Sequence, residues 1–369
     1  MTDGVTPLFD AKQVPRCADG EVPFVTVVVP CRNEEHHIEP MIRSVKGSGY
    51  PPDRLEVIVA DGMSTDGTRR ILEGLAQHDG RIRIIDNPAV QKPHALNAAI
   101  AQAHGSVIIR MDAHSTYPRD YIPECVHALL KYGADNVGGV AAAVPDSDRL
   151  MSRAICAFYN GALGLRRGRA SSPRAHPTLA HTVFCGCFRR DVFDRFGWFD
   201  TKLPRGQDRE LNARIRAGGG KILLLPWVEA HYRPRSSLRS HLRYMILAGL
   251  VPFSLQGQTG TTVLGLRNVV TALAGLLALS AMPLCYAVPN LIWPAMAVAA
   301  GYLTITVTGG VCMGLKNRSI RLAIVYTPIV WMSHLMYGLG ALFGTVDLAA
   351  SSLRTLASRA FSISVPPSR

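Results

Sequence analysis

The apolar positions of this chain fall into two regimes. Through residue 132, short β-branched runs alternate with stretches of helical period. Val25 to Val29 reads as a buried strand that stops at Pro30. Leu55 to Val59 reads as a second strand, Arg81 to Ile85 as a third, and Ser106 to Met111 as a fourth, ending at Asp112. Between them the spacing predicts a helix over Glu34 to Val45, with Asn33 as N-cap and Gly47 as its stop. It predicts another over Thr68 to His78, capped from Ser64, Thr65 or Asp66, and a third over His94 to Ala103, closed by Gly105. A further helix runs from Pro118 to Tyr132. Such alternation predicts an α/β domain on a parallel, doubly wound sheet, where ligands bind beyond the carboxyl ends of the strands. The polar clusters fall at those ends: Arg32-Asn33-Glu34 after the first strand, Asp61 after the second, Asp112 and His114 after the fourth.

The second regime is less regular and then strongly apolar. Arg166 to His181 is rich in Arg, Ser and Pro and reads as a mobile loop. Val183 to Arg189 reads as a strand, Asp208 to Ala217 as a helix closed by Gly218-Gly219-Gly220, and Lys221 to Leu225 as a short strand. Ser237 to Leu255 has Arg239 and Arg243 followed by an apolar stretch. It suits an amphipathic helix at a membrane interface, or a poor span. Asn268 to Leu315 and Leu322 to Val346 contain no charged residue, and each exceeds the roughly 20 residues a bilayer span needs. Spans are expected at about 268–288, 291–314 and 322–346, with the first turn at Val288-Pro289-Asn290. The expected organisation is a polar extension (1–21), a catalytic domain (22–235), an interfacial segment (236–262), transmembrane helices (263–346) and a tail (347–369).

Charge sets the expected orientation. The polar N-terminus, Met1 to Glu21, has no apolar signal region, which predicts a cytosolic catalytic domain on a multi-pass protein of the inner or plasma membrane. Lys316, Arg318 and Arg321 then fall inside, as positive-inside charge requires. A third span places Arg354, Arg359 and Arg369 outside, against that rule, so the span count stays open. The net charge is +13, and residues 149–243, with 19 Lys and Arg against six acids, account for all of it. This basic half suits anionic lipid headgroups or a lipid-linked phosphate acceptor, with a solvated Arg-rich face as the alternative. No aromatic-interleaved basic motif accompanies it, so nucleic acid is not an expected partner. The eight cysteines include no CxxC, and Cys185-Gly-Cys187 has the wrong spacing for zinc; buried free thiols are expected.

Three constellations carry candidate chemistry. The turn Pro30-Cys31-Arg32-Asn33-Glu34 has no glycine, which excludes a dinucleotide fingerprint, and no P-loop occurs. Asp112-Ala113-His114 ends a strand with two ligands two residues apart. It suits one cation bridging a nucleotide-sugar diphosphate, and equally a turn-capping Asp beside a surface His. Asp208 falls near a predicted helix N-terminus, where a carboxylate is favoured. It suits a general base taking an acceptor proton, and also an N-cap.

Taken together, five ordered strings resemble the motifs of family-2 glycosyltransferases across roughly residues 22–245: Val25 to Glu35, Val59 to Thr68, Lys92 to Asn97, Arg110 to His114, and Gly206 to Leu211. The Asp-Ala-His variant and Tyr232-Arg-Pro-Arg235 are most similar to succinoglycan-type bacterial exopolysaccharide glucosyltransferases. The resemblance implies a single GT-A domain in which Pro30, Arg32, Asn33 and Glu34 cradle the nucleoside and Asp61 meets the base, usually uracil. It implies Lys92 and Asn97 near the nucleotide, Asp112 and His114 at the metal motif, His231 as a late metal-binding His, and Asp208 as general base. His114 replaces the usual second Asp, which either favours Mn²⁺ over Mg²⁺ or leaves Asp112 alone to carry the ion. Gln207 replaces the usual Glu, and Gly62 stands where many members have a second Asp. The Gln-x-x-Arg-Trp motif of processive synthases is missing; the nearest string is Ser240-His-Leu-Arg243-Tyr244. The expected function is metal-dependent, inverting transfer of a hexose, with UDP-glucose the expected donor, onto a polyprenyl-diphosphate-linked sugar in exopolysaccharide or cell-surface glycan synthesis. The alternatives are a polyprenyl-phosphate glycosyl synthase, a processive polysaccharide synthase and a silent membrane scaffold.

Overall fold

The computed structural model describes residues 15–17, 20–164, 176–203, 205–234, 236–259 and 286–363, with residues 264, 268, 269 and 273. Strand β1 (Val25–Cys31) is followed by α1 (Ile38–Lys46), β2 (Leu55–Asp61), α2 (Thr68–His78), β3 (Ile82–Asp86), α3 (Lys92–Ala101) and β4 (Val107–Arg110). β1 pairs parallel with β2 and with β4, and β2 pairs parallel with β3. Every residue of β2 is buried, which is why it reads as a continuous apolar run rather than an alternating one. The alternation of a strand still divides its side chains between two layers. Val25, Val27 and Val29 pack with Ile38, Met41 and Ile42 of α1, whereas Val28 packs with Leu96 and Ile100 of α3. Each such buried side chain contributes about 1.5–3 kcal/mol.

Beyond β4 the sheet is mixed. The chain continues through β5 (Ser115–Thr116), α4 (Tyr121–Lys131), β6 (Asn136–Ala143), α5 (Leu150–Asn160), β7 (Thr178–Leu179), β8 (Phe184–Arg189), α6 (Asp191–Phe196), α7 (Gln207–Ala217) and β9 (Ile222–Tyr232). The strand order is β3-β2-β1-β4-β8-β6-β9-β5, with β7 on β9. β8 lies antiparallel between β4 and β6, and β9 runs parallel to β6. The fully parallel pattern therefore covers the first four strands alone. The direction of β8 depends on partners distant in sequence, which no local period reports.

Two local expectations also shift. The first helix begins at Ile38, not Glu34, because Asn33 is not a cap. Asn33 adopts φ +54°, and its backbone N–H donates to Ser64 Oγ at 2.9 Å. The Glu34 and Glu35 N–H groups likewise donate to Thr68 Oγ1 and Asp66 Oδ2 of the next loop rather than to a cap. The strand at Ile222 is eleven residues long, because a register shift lets its second half rejoin β6 and pair with β5.

The described helices continue with α8 (Leu238–Thr259), α9 (Ile292–Lys316) and α10 (Ile320–Ile363). The chain divides into two compact units: residues 1–144 with 167–233, and residues 145–166 with 234–369. The second unit thus takes α5 out of the middle of the sequence. In it α8 packs on α10 at very close range: a Cβ on Gly249 would collide with the Tyr337 carbonyl, and one on Gly340 with that of Ile246. His241 Nε2 lies 2.7 Å from Ser333 Oγ across the same helix pair. Among the described residues, two helices are long and apolar enough to cross a membrane, over Pro289–Lys316 and Ile320–Ala349. A 3₁₀ turn occupies Pro289–Leu291, within the region where a turn between two spans is expected at Val288 to Asn290. The span expected at 268–288 and the loop at 166–181 fall largely outside the described residues. Cys31, Cys125, Cys156, Cys185 and Cys187 are buried free thiols, but Cys312 is exposed, on the outward side of α9.

Candidate functional site

The carboxyl edge of the parallel strands gathers most of the candidate residues. Asp112 follows β4 by two residues and is 6% exposed. Its Oδ1 accepts from Lys92 Nζ, at the start of α3, and from Arg110 Nη2, at the end of β4, both at 2.6 Å. Its backbone N–H donates to the Tyr117 hydroxyl at 2.8 Å, and that hydroxyl lies 3.2 Å from Cys185 Sγ. Burial alone would raise the Asp112 pKa, but the charges of Arg110 and Lys92 override it and hold the carboxyl far below the usual range. Burial pushes the Cys185 thiol up to about 12, so it is a neutral packing group here.

Arg110 reaches a second carboxylate. Its Nη1 lies 3.5 Å from Asp208 Oδ2. Asp208 sits in the first turn of α7, which Gly206 opens at φ +81°, a left-handed conformation that suits glycine. Two residues further on, the helix is anchored by Glu210, which accepts from Arg214 Nε and Nη2 at 2.6 and 2.7 Å. Arg214 in turn donates to the Phe196 and Trp198 carbonyls. The same loop is held from α3: Asn97 donates to the Phe199 carbonyl and accepts its N–H, at 2.8 and 3.1 Å. The oxygen and the nitrogen of the Asn97 side-chain amide are thus both engaged by backbone, which makes it a fastener for the loop that precedes α7.

The first two loops are laced together. Asn33 Oδ1 accepts from the Thr65 N–H at 2.8 Å, and Glu35 Oε2 from the Gly67 N–H at 2.8 Å. Asp61, 3% exposed at the end of β2, accepts from the Ser64 hydroxyl at 2.5 Å and lies 3.7 Å from Arg69 Nη1. Pro30 stays within β1, and Arg32 is exposed just past its end. Glu34 bridges two imidazoles, at 3.1 Å from His114 Nδ1 and 3.2 Å from His37 Nδ1.

His231 arrives on a different element. β5 pairs antiparallel with β9 so that Thr116 faces His231 and Ser115 faces Tyr232. The Tyr232 ring meets His114 edge-on at 5.3 Å, and the Arg233 N–H donates to the His114 carbonyl at 3.2 Å. The strand that carries His231 therefore runs beside His114, with His231 itself exposed.

For a divalent ion, the available donors are few. Among the described residues no three His, Cys, Asp or Glu side chains converge as a cage. Both cation bonds to Asp112 end on Oδ1, which leaves Oδ2, with His114 two residues on, as a partial donor set. That composition fits an ion that takes most of its ligands from substrate oxygens and water, as Mg²⁺ and Mn²⁺ do at diphosphates.

Two residues here were given no role by the sequence. Arg110 closes an apolar strand and opens the string Arg110 to His114 without a part of its own in it, and Tyr117 follows a two-residue strand with no local pattern that marks it. Only the fold reveals that one forks between two carboxylates and the other fixes the Asp112 backbone.

Residues 26–197 match the profile of glycosyl transferase family 2. The chain is 34% identical over 217 residues to the succinoglycan biosynthesis protein ExoA of Rhizobium meliloti; the match covers 58% of this chain and 64% of that protein, just under two thirds of its length. It is 25% identical over 232 residues to the dolichyl N-acetyl-α-D-glucosaminyl phosphate 3-β-D-2,3-diacetamido-2,3-dideoxy-β-D-glucuronosyltransferase of Methanococcus voltae, covering 61% of this chain and 72% of that one. Among solved structures, the mannosyltransferase PcManGT from Pyrobaculum calidifontis, in complex with GDP-Man and Mn²⁺, shares the fold. It has a TM-score of 0.58 and 21% identity over 96% of this chain and 91% of that one.

Proposed function

Because residues 26–197 are a glycosyltransferase family 2 domain, of GT-A type, we propose that this chain is an inverting hexosyltransferase that moves a sugar from a nucleoside diphosphate to a lipid-linked sugar acceptor. The observation that carries this reading is the pair of carboxylates from separate elements, Asp112 at the sheet edge and Asp208 on α7, joined through Arg110.

In this reading Asp208 accepts the proton of an acceptor hydroxyl. The acceptor oxygen forms its bond to the anomeric carbon as the bond from that carbon to the diphosphate oxygen breaks, and the electron pair leaves with the diphosphate. Attack opposite the leaving group inverts the configuration, so an α-linked donor gives a β-linked product. Lys92, held on Asp112, would supply positive charge to the diphosphate, and electrostatic stabilisation of that group is a large share of such catalysis. Asp112 Oδ2 and His114 would hold Mn²⁺ or Mg²⁺, with His231 as an additional ligand, and such an ion supplies further neutralisation of the leaving group when bound. The laced loops of Asn33, Glu34 and Asp61, with Pro30 and Arg32, form the nucleoside side, and uracil is the base we favour.

A lipid-linked acceptor is supported by the two apolar helices and by the acceptor named for the Methanococcus voltae relative. Exopolysaccharide assembly is supported by the Rhizobium meliloti relative. We place the catalytic domain, the unit of residues 1–144 and 167–233, on the cytosolic face, with the apolar segment 263–346 in the membrane.

The decisive experiment incubates membranes carrying the chain with a panel of nucleotide sugars and a lipid extract, with and without Mn²⁺. Wild type should produce a labelled, β-linked lipid product from one donor. Asp208→Asn should lower transfer by about 100-fold or more while UDP binding persists. Full transfer by Asp208→Asn removes its role as base, and no transfer from any donor removes the reading.

A further inference from the structure

Arg110 is 5% exposed and charged, and it stands between the donor-side and acceptor-side carboxylates. Its fork gives one nitrogen to Asp112 at 2.6 Å and the other to Asp208 at 3.5 Å. Asp112 belongs to the sheet, whereas Asp208 belongs to a helix whose approach depends on a separate loop. A planar guanidinium presents its donors in a fixed geometry, so one Arg between two carboxylates sets both their separation and their relative orientation. A Lys ammonium at the same place would supply charge without the fork. Burying such a group is costly unless its partners compensate it, and removing one partner of a buried pair typically does more harm than the pair does good. Charge compensation at Asp112 does not by itself need Arg110, because Lys92 bonds the same Oδ1. What Lys92 does not supply is the ion pair with Asp208, at 3.5 Å from Arg110 Nη1. The Arg110 Nε–H is buried with no acceptor among the described residues, so the group is not fully spent on packing.

We propose that Arg110 is a positioning residue that fixes the proton-accepting carboxylate of Asp208 relative to the donor-holding carboxylate of Asp112. The proposal rests on the glycosyltransfer reading above. Its consequence is a division of labour. Donor binding depends on Asp112 and the loops around it. Transfer to a bulky, oriented hydroxyl depends in addition on where Asp208 stands. Water, being small and mobile, depends on that placement far less.

The test uses the full chain in detergent, with UDP-glucose, or whichever nucleotide sugar of the panel wild type consumes, and membrane lipid extract as acceptor. Transfer, donor hydrolysis and UDP binding are measured for wild type, Arg110→Met and Arg110→Lys. In Arg110→Met, UDP binding and hydrolysis should stay within about threefold while kcat for transfer falls about 100-fold, the scale of a small misplacement of reacting groups. Arg110→Lys should show the same signature at about tenfold. The proposal is overturned if hydrolysis and transfer fall in equal proportion, or if transfer is unchanged. Should Arg110→Met fail to fold, Arg110→Lys decides: a hydrolysis-to-transfer ratio equal to wild type sinks the idea. A wild-type chain that neither hydrolyses nor transfers any donor overturns the glycosyltransfer reading instead, and is told apart by needing no variant.

Discussion

Glu34 braces two imidazoles, and its own ionisation therefore matters to the fold. Burial raises its pKa, but hydrogen bonds and charge from His114 and His37 outweigh burial and hold the carboxyl at about 2, against an ordinary 4.5. A carboxyl depressed on folding stabilises the native state fully above its unfolded pKa, and that contribution fades as pH falls toward the folded value. Replacing Glu34 with Gln should thus cost about 1–3 kcal/mol near pH 6 and little by pH 2. Thermal melts of the two proteins at both pH values check this; an equal gap at pH 6 and pH 2 would refute it. At this scale the sequence was legible wherever a side chain ended a strand: Asp61 and Asp112 lie at the sheet edge where the strand runs placed them. It was illegible wherever the role lay in a distant partner. Asn33 resembles a helix cap, and only its bonds to Ser64 and Thr65 show that it ties two loops. Arg110 ends a run of apolar residues, and its meaning depends on Asp208, far along the chain.

Elements follow the same division. The first four strands and the helices between them are set by local period, and α2 spans Thr68–His78 as its pattern indicates. β5 and β7 are two residues long, too short for any period to register. Among the helices, α8 illustrates how small side chains decide packing. Gly249 and Gly340 allow its backbone to approach that of α10, the close contact by which helices associate where there is no hydrophobic drive to do so. A side chain at Gly340 has no free space to enter. Gly340→Leu should therefore destabilise the second unit by at least about 1–3 kcal/mol, the usual cost of overpacking. Gly301 on α9 has open space around it, so Gly301→Leu is the matched control and should leave the melting temperature unchanged. Equal melting temperatures for the two variants would show that the close approach is not a constraint.

At the scale of the whole molecule, the two compact units do not follow the linear order of the chain. Residues 145–166 leave the first unit for the one that holds α8, α9 and α10, although they lie between β6 and β7. No composition shift marks them, which is why a single boundary near residue 235 was the natural reading. Within the second unit α5 buries Ala154, Ile155, Cys156, Phe158 and Tyr159. A chain ended after residue 235 should consequently aggregate without detergent, and one in which residues 145–166 are also replaced by a Gly-Ser linker should elute as a monomer. Size-exclusion chromatography distinguishes them, and a monodisperse first protein would contradict the division.

The same arrangement bears on how a ribosome must make this protein. α5 is finished roughly 160 residues before α10 begins. At about 5–20 residues per second, its apolar side waits on the order of ten to thirty seconds for its partner. During synthesis that helix is an unfinished surface, open to a chaperone, to the bilayer or to a neighbouring nascent chain. Slowing elongation after residue 160 would lengthen the exposure without changing a single residue of the product.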